Sequence, residues 1–464
     1  MRSFLVTILF LLVAPLTGFF LTKYPPSTML LVVLALTIFT VSFINIEWGL
    51  YILIFSMLLS PEIMMAGETT ESSMGRGVTL RLEDFLLAVI GLSWFARNAV
   101  KKELGLFLKT PLNKAILFYV LACVLSTGFG IMAGRVEPKT GCLFVLKYIE
   151  YFIVFFMMVN HVKNTDQIKR FVICLFLTCF IVSIIGIFQI PGGERVSAPF
   201  EGQVGEPNTF GGYLLFIGAV AAGLLAKTEN SKNKQILAVL ILCIIPSFLF
   251  TQSRTSYLAL IPALMVLGFM TDRRLIIIGV LIIGFMVSPL FLPTAVKNRI
   301  MYTFTQPEAK GQIKIGDIRL DTSTSARLVS WKEAFQGWTQ HPLLGYGVSG
   351  YAFVDAQFPR VLVETGVLGL VAFLYLLFSI LKVTLENLKK LKTPYFQGLA
   401  IGFLAGFVGI IVHALGANTF IIVRIMEPFW FFAGIMVVMP AMERQQTEQT
   451  ETVFVRGKAL APGA

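Results

Sequence analysis

The side chains best suited to acid–base chemistry lie in and beside a hydrophilic segment, roughly Pro293 to Arg360, between two long apolar stretches. Asp355 and Glu364 are the candidate catalytic bases, because a carboxylate near a membrane surface can accept a proton from a hydroxyl group. Glu364 also has a structural interpretation, since it lies in the first turn of the next predicted helix and interacts favourably with the helix dipole there. Asp355 has no such ready explanation.

Two arginines are candidate ligands for a phosphate group, because a guanidinium donates paired hydrogen bonds to phosphate and keeps its charge. Arg254 lies in Ser253-Arg-Thr-Ser256 at the end of a predicted helix. An arginine that extends toward lipid head groups explains that position equally well. Arg195 precedes the turn Glu206-Pro-Asn-Thr-Phe-Gly-Gly212. The proline and asparagine of that turn suit a helix start, so this stretch also has a sufficient structural explanation.

A third arginine, Arg327, lies four residues before Trp331, which places both on one face of a helix. The apolar spacing predicts an amphipathic helix on the membrane surface, and an ordinary interfacial helix is the structural alternative. The turn His341-Pro-Leu-Leu-Gly-Tyr-Gly347 follows, where His341 suits a turn or cap better than a base. Arg327 is therefore a candidate catalytic residue, and His341 is a candidate supporting one.

Charged side chains also occur within the last two predicted helices, where burial in hydrocarbon is costly enough to indicate pairing or function. His413, Arg424 and Glu427 are of this kind. Arg424 is a candidate ligand for the same phosphate, whereas His413 and Glu427 are candidate supporting residues. An ion pair between Arg424 and Glu427 is the structural alternative. Lys147 and Glu150 repeat this spacing in an earlier helix, and we interpret them as structural.

The chain as a whole has the composition of a membrane protein. Of its 464 residues, 56% are hydrophobic, 14% are charged and 42 are phenylalanine, and the mean hydropathy is +0.79. A soluble core cannot hide this much apolar surface. The formal charge of +12 comes mostly from short connections and predicts topology rather than a nucleic-acid partner. The five cysteines lack CxxC spacing, so neither a disulfide nor a metal site is expected.

We therefore predict an all-α polytopic membrane protein, because helices of about 20 apolar residues cross a hydrocarbon core of about 30 Å. About 12–14 spanning helices are expected, with one large periplasmic loop over 293–360. Residues 1–190 are predicted as N-terminal helices, 191–440 as the domain that carries the loop, and 441–464 as a disordered cytoplasmic tail. The first helix is interpreted as retained, since no convincing cleavage site follows it. The predicted spans begin near Phe4, Thr28, Trp48, Asp84, Leu112, Cys142, Ile168, Thr209, Gln235, Thr255, Leu275, Val361, Phe396 and Asn418.

Lysine and arginine predict the orientation, since connections rich in them stay in the cytoplasm. Such connections lie near Lys101, Lys163, Lys232 and Lys389. Both termini then lie in the cytoplasm. The connections that carry the candidate residues face the opposite side of the membrane.

The order of these elements resembles the O-antigen ligase and polysaccharide polymerase superfamily over roughly Arg195 to Pro440. The resemblance depends most on the large external loop, the run from Arg327 to Gly347, and Val363-Glu-Thr-Gly-Val-Leu-Gly-Leu370. The stretch from Asn418 to Trp430 is similar to exopolysaccharide-type members.

This resemblance implies a metal-independent membrane glycosyltransferase of GT-C-like architecture, without a cofactor. Such an enzyme takes a glycan from an undecaprenyl diphosphate carrier at the periplasmic face and joins it to the hydroxyl of a glycan or lipid acceptor. The resemblance assigns Arg195 and Arg254 to the diphosphate and Arg327 to the arginine of the loop. Fixed cations at these positions would stabilise the charge that develops on the leaving diphosphate. The resemblance is also compatible with a partner protein that regulates the chain length of the polysaccharide.

One departure from the family bears on the acceptor. Ligases are expected to carry a His-Asn pair shortly before the Glu-Thr-Gly motif, whereas this chain reads Val354-Asp-Ala-Gln-Phe-Pro-Arg360. Asp355 can substitute as the base, or positioning alone can activate the acceptor. Polymerisation of repeat units is therefore favoured over ligation to a lipopolysaccharide core. Two alternatives stay open: a transporter or flippase for lipid-linked sugars, and an oligosaccharyltransferase that uses a protein hydroxyl.

Overall fold

The computed structural model describes residues 26–63, 80–101, 109–201, 205–271, 279, 293–309, 311–315 and 318–459. Two short antiparallel hairpins are formed by β1 (Glu62–Ile63) with β2 (Leu80–Arg81) and by β3 (Lys314–Ile315) with β4 (Ile318–Arg319). The helices are α1 (Pro26–Ile44), α2 (Ile46–Leu59), α3 (Leu82–Lys101), α4 (Asn113–Met132), α5 (Pro138–His161), α6 (Thr165–Gln189), α7 (Pro207–Lys227), α8 (Ser231–Phe250), α9 (Arg254–Met270), α10 (Thr294–Thr305), α11 (Thr322–Trp338), α12 (Gln357–Lys390), α13 (Pro394–His413) and α14 (Val423–Ala459).

The predicted all-α membrane fold is confirmed. Eight of the described helices are long and apolar enough to cross a membrane, and three shorter apolar helices accompany them. Each predicted span that falls on described residues corresponds to a helix. The spans predicted near Phe4 and Leu275 lie outside those residues, apart from Gly279.

Polar caps and prolines begin the helices that reach the candidate site. The side chains of Ser253 and Asp321 accept hydrogen bonds from the N–H groups of Ser256 and Thr324, at the starts of α9 and α11. Each cap satisfies a backbone donor that the first helical turn leaves without a partner. Helix α7 begins at Pro207, as its sequence predicts.

Helices α7 and α13 approach each other closely through glycines. A Cβ atom on Gly223 would lie 2.3 Å from the backbone nitrogen of Gly402, and one on Gly402 would lie 2.6 Å from the Cα atom of Val220. Small residues permit this distance between helix backbones in a membrane. The contact fixes the relative position of two helices, of which α7 begins and α13 ends at the candidate site.

Helix α12 is broken at Gly366, whose φ of 66° and ψ of −169° are not helical. A Cβ atom there would lie 2.2 Å from the carbonyl oxygen of Leu343, so the position requires glycine. The turn 341–347 packs into the break, and the N–H of Val367 donates to the carbonyl of Pro342 at 2.9 Å. The two motifs at the end of the hydrophilic segment therefore form one structural unit.

The helix predicted around Trp331 is present as α11. Its apolar side chains Leu328 and Phe335 are 39% and 47% exposed. Ala334 is buried and packs with Val354 and Val363, on either side of the start of α12. The helical spacing is confirmed, and the location of this helix on a membrane surface stays a prediction.

The C-terminal stretch, predicted as disordered over 441–464, is described as far as Ala459. Helix α14 continues to that residue, and the carboxylate of Glu443 accepts a hydrogen bond from the N–H of Thr393 at 2.6 Å. The prediction rests on the lack of apolar periodicity, but the stretch contains glutamate and glutamine, which are good helix formers. It also extends an existing helix, so no new helix has to be nucleated.

Candidate active site

A cavity of about 750 Å³ lies at the end of the molecule where the candidate connections meet. Helix α7 begins at this cavity with Pro207 and ends at Lys227, so the basic connection after it lies at the opposite end. The cavity is bordered by β2, α5, the starts of α7 and α12 with the connections before them, the connection before α9, and the turn between α13 and α14. Its polar lining residues are Arg81, Lys147, Glu194, Arg195, Glu206, Asn208, Thr209, Gln252, Asp355, Arg360 and Asn418.

Arg195 is held in place at the cavity wall by neutral acceptors. Its Nε donates to the carbonyl of Thr251 at 2.9 Å, and its Nη2 donates to Oδ1 of Asn208 at 3.3 Å and to the carbonyl of Gln252 at 3.4 Å. Burial, followed by the charges of neighbouring arginines, lowers the pKa of Arg195 to about 10. The side chain therefore stays charged at neutral pH. Neutral oxygens, rather than a carboxylate, accept the hydrogen bonds that orient it.

Four arginines from different elements gather near this wall, and we call them the arginine cluster: Arg195, Arg254, Arg299 and Arg327. The charges of the other three all act on Arg195. Burial and then Arg254 lower the pKa of Arg299. Its Nε is buried and has no hydrogen-bond acceptor within the described parts of the chain. Several positive charges that act on one another in this way favour an anion with several oxygens.

Arg254 is a member of this cluster but does not line the cavity. Its Nη2 donates to Oδ2 of Asp321 at 2.7 Å, and its Nη1 donates to Oγ1 of Thr303 at 2.5 Å. Burial alone would raise the pKa of Asp321, but hydrogen bonds from Arg254 and Thr324 lower it overall. Arg254 thus joins α9 to α10 and to the cap of α11, and its role as a diphosphate ligand stays a prediction.

Asp355 lines the cavity with 42% of its side chain exposed. The Nε of Arg327 donates to its Oδ2 at 3.3 Å. The structure therefore brings together two candidate catalytic residues, one from α11 and the other from the connection before α12.

Glu364 faces into the protein rather than the cavity. It is 5% exposed, and its Oε1 accepts hydrogen bonds from Nε of Arg360 and from the N–H of Ser349, both at 3.1 Å. Because α12 begins at Gln357 rather than near Val361, Glu364 lies beyond the first turn, and the predicted interaction with the helix dipole is wrong. Its contacts favour Asp355 as the base.

Arg424 is fully buried and is absent from the cavity lining. It donates to the carbonyls of Pro199, Phe200 and Ser60 at 2.9 to 3.3 Å, and it forms an ion pair with Glu201 at 3.4 Å. Burial raises the pKa of Glu201 to about 7, although Arg424 opposes this shift. Arg424 therefore braces the connection that carries Arg195, and its predicted contact with diphosphate remains untested.

The three candidate supporting residues lie outside the cavity lining. His341 packs edge-on against Tyr346, with ring centroids 4.6 Å apart. His413 is fully buried, and its Nε2 lies 3.2 Å from Oγ of Ser256. Glu427 is 1% exposed, and its Oε2 has no hydrogen-bond partner among the residues described. Their supporting roles stay predictions.

Several cations at the site were not identified from sequence. Arg81 and Arg360 line the cavity, and Arg299 belongs to the cluster. Lys147 lines the cavity too, although its ion pair with Glu150 at 3.9 Å agrees with the structural interpretation. Two signals in the sequence could have identified them. Arg299 lies in the hydrophilic segment, and Arg360 lies four residues before Glu364.

The comparison with protein families concerns the middle part of the chain. A family model for O-antigen ligase matches residues 236–374, from α8 to the second part of α12. The match includes Arg254, Arg299, Arg327 and Asp355, whereas Arg195 lies before it. No curated protein matches the chain. The resemblance of this multi-pass membrane protein to the O-antigen ligase and polysaccharide polymerase superfamily, predicted from its sequence, is therefore confirmed.

Proposed function

We propose that the protein is a membrane glycosyltransferase that moves a glycan from undecaprenyl diphosphate to an acceptor hydroxyl during synthesis of a surface polysaccharide. One observation carries the proposal: Arg195 lines the same cavity as Asp355, and the charges of Arg254, Arg299 and Arg327, which lie outside the lining, act on Arg195. Transfer from a diphosphate needs a cationic site for the leaving group and an acceptor for the hydroxyl proton. A cavity of about 750 Å³ is also of the size that binds small ligands.

On the donor side, the bond between the anomeric carbon and the diphosphate oxygen breaks, and its electron pair stays on that oxygen. Arg195 donates hydrogen bonds to the diphosphate as this charge develops, and Arg299 adds positive charge from outside the cavity lining. The neutral acceptors of Arg195 hold it in place beforehand, so little reorganisation accompanies the reaction. Arg254 is a positioning residue that acts through Asp321.

On the acceptor side, the hydroxyl oxygen forms the new bond to the anomeric carbon while its proton passes to the carboxylate of Asp355. Arg327 orients that carboxylate. The products are a lengthened glycan and undecaprenyl diphosphate, and Asp355 returns the proton to water.

We further propose that the acceptor is a glycan, so that the reaction lengthens a polymer. Asp355 stands where ligases of the superfamily are expected to carry a His-Asn pair. This difference favours polymerisation over ligation to a lipid or to a protein hydroxyl, and the acceptor requirement of the purified enzyme distinguishes the three.

A flippase for lipid-linked sugars is the second candidate, because carboxylates within spanning helices often mark transport pathways. Glu83 is fully buried and Glu427 is 1% exposed, on α3 and α14. The Nη1 of Arg81 lies 3.7 Å from Oε1 of Glu83, however. A structural ion pair therefore accounts for one of these two buried carboxylates.

A reconstituted assay tests the proposal. Purified protein in detergent is given an undecaprenyl-diphosphate-linked oligosaccharide, and the product size is followed on a gel. We expect a ladder of lengthening glycans. Absence of any glycan transfer, together with movement of the same lipid across a liposome bilayer, would establish the flippase instead.

A further inference from the structure

An exposed aromatic side chain lies beside the candidate base. Phe353 is 48% exposed and lines the cavity. The cavity lining holds polar residues, such as Asn208 and Asn418, and apolar ones, such as Phe144 and Ile421. An exposed ring in a lining of both kinds suits a ligand that has an apolar face and a polar rim.

The backbone around Phe353 directs its ring to the same side as Asp355. Val354 is 2% exposed and Ala356 is fully buried, whereas Phe353 and Asp355 both line the cavity. This alternation places the side chains of Phe353 and Asp355 on one side of the segment, which bends at Asp355 and Ala356 before α12 begins. Cα atoms two residues apart lie at most about 7 Å from each other, close to the width of a sugar ring.

Two backbone contacts hold this segment in position. The Nδ2 of Asn418 donates to the carbonyl of Val354 at 2.8 Å, and the N–H of Gln357 donates to the carbonyl of Ala414 at 3.1 Å. Both partners belong to the turn between α13 and α14. The ring of Phe353 is therefore presented by a fixed backbone, which reduces the entropy lost on binding.

We propose that Phe353 is the stacking platform for the acceptor sugar, the ring whose hydroxyl gives its proton to Asp355. This inference rests on the proposed function. The C–H face of a pyranose covers the phenyl ring, and its hydroxyl groups meet the amides at the cavity wall. The platform selects acceptors with an apolar sugar face and leaves the diphosphate of the donor to the arginine cluster.

The test compares F353A and F353Y with F188A, which removes a phenyl ring that is 79% exposed on α6 and absent from the cavity lining. The substrates are undecaprenyl-diphosphate-linked oligosaccharide as donor and a carrier-free oligosaccharide cut from the same polysaccharide as acceptor. In F353A we expect the acceptor KM to rise about tenfold, the cost of one lost aromatic contact. The donor KM and the kcat at saturating acceptor should stay unchanged, and F353Y and F188A should behave as wild type.

A binding measurement separates failure of this proposal from failure of the proposed function. In F353W, addition of the carrier-free oligosaccharide should change the fluorescence of the new indole, whether or not the protein transfers glycan. Wild-type acceptor KM in F353A, or an increase in the donor KM alone, would overturn the platform while leaving the glycosyltransferase intact. Loss of transfer in the wild type itself would overturn the function.

Discussion

Arg195 is the side chain whose loss should reduce glycan transfer most. In Arg195→Ala, we expect the rate to fall about 10²- to 10³-fold, as when a preorganised donor to a developing anion is removed. Arg195→Lys should recover little, because an ammonium cannot reproduce the two-nitrogen contacts to Thr251 and Asn208. The initial rate of transfer from lipid-linked donor is the measurement. Arg319→Ala, which removes a more exposed arginine paired with Glu308, is the control. Equal rates in Arg195→Ala and wild type would contradict the leaving-group site.

Asp355 is expected to affect catalysis rather than folding. Asp355→Asn should lower kcat about 10²- to 10⁴-fold, the usual contribution of a general base. The apparent affinity for donor should change little, because Arg195 rather than Asp355 binds the diphosphate. Glu308→Gln serves as a matched control, since this carboxylate is 81% exposed in the same loop. If the turnover of Asp355→Asn were close to that of wild type, Asp355 would not be the general base.

Glu201 should make the stability of the protein depend on pH. Burial raises the pKa of its carboxyl from 4.5 to about 7 in the folded state, with Arg424 opposing the shift. Between these values the folded state keeps a proton that the unfolded state has lost. The stabilisation is therefore complete below about pH 4.5 and is lost as the pH rises through about 7. The midpoint of thermal unfolding should fall across this window in wild type and change less in Glu201→Gln.

The control for this pH profile is Glu333→Gln, which alters an exposed carboxylate on α11. Its unfolding midpoint should follow that of wild type at each pH. If Glu201→Gln showed the same pH profile as wild type, the buried carboxyl would not be the titrating group.

At the scale of elements, the break in α12 is the feature on which the site geometry depends. Gly366→Ala puts a side chain at a φ of 66° and a Cβ atom 2.2 Å from the carbonyl of Leu343. We expect destabilisation of more than about 2 kcal/mol, because backbone strain adds to the steric clash. The measurement is the thermal midpoint of the purified protein. Gly128→Ala on α4, where a Cβ atom meets nothing within 4 Å, should leave it unchanged or raise it.

Some elements could be predicted because their signals are local. Pro207 begins α7 and Ser253 caps α9, and the apolar spacing around Trp331 does form a helix. The break at Gly366 could not be predicted, because the same residues fit a continuous helix and the turn that fills the break comes from 341–347. Local patterns carry no information about such a partner.

At the scale of the molecule, the sequence predicted an all-α membrane fold and the resemblance to the O-antigen ligase superfamily, because composition indicates the first and motif order the second. The pairing within the site could not be predicted in this way. Arg327 meets Asp355, whereas Glu364 is engaged by Arg360 and Arg424 by Glu201. Helix packing across the whole chain determines which charged side chains are buried as pairs. These pairs determine which of the candidate residues line the cavity.

In the proposed reaction, one cavity breaks the bond between the anomeric carbon and the diphosphate oxygen and forms a glycosidic bond. The most direct measurement follows both products in one reaction of the purified protein, by mass spectrometry of the lipid and of the glycan. We expect one undecaprenyl diphosphate to be released for each oligosaccharide added, with both products lost together in Arg195→Ala and in Asp355→Asn. Release of the lipid without glycan growth, or neither product while the intact donor crosses a bilayer, would contradict the account.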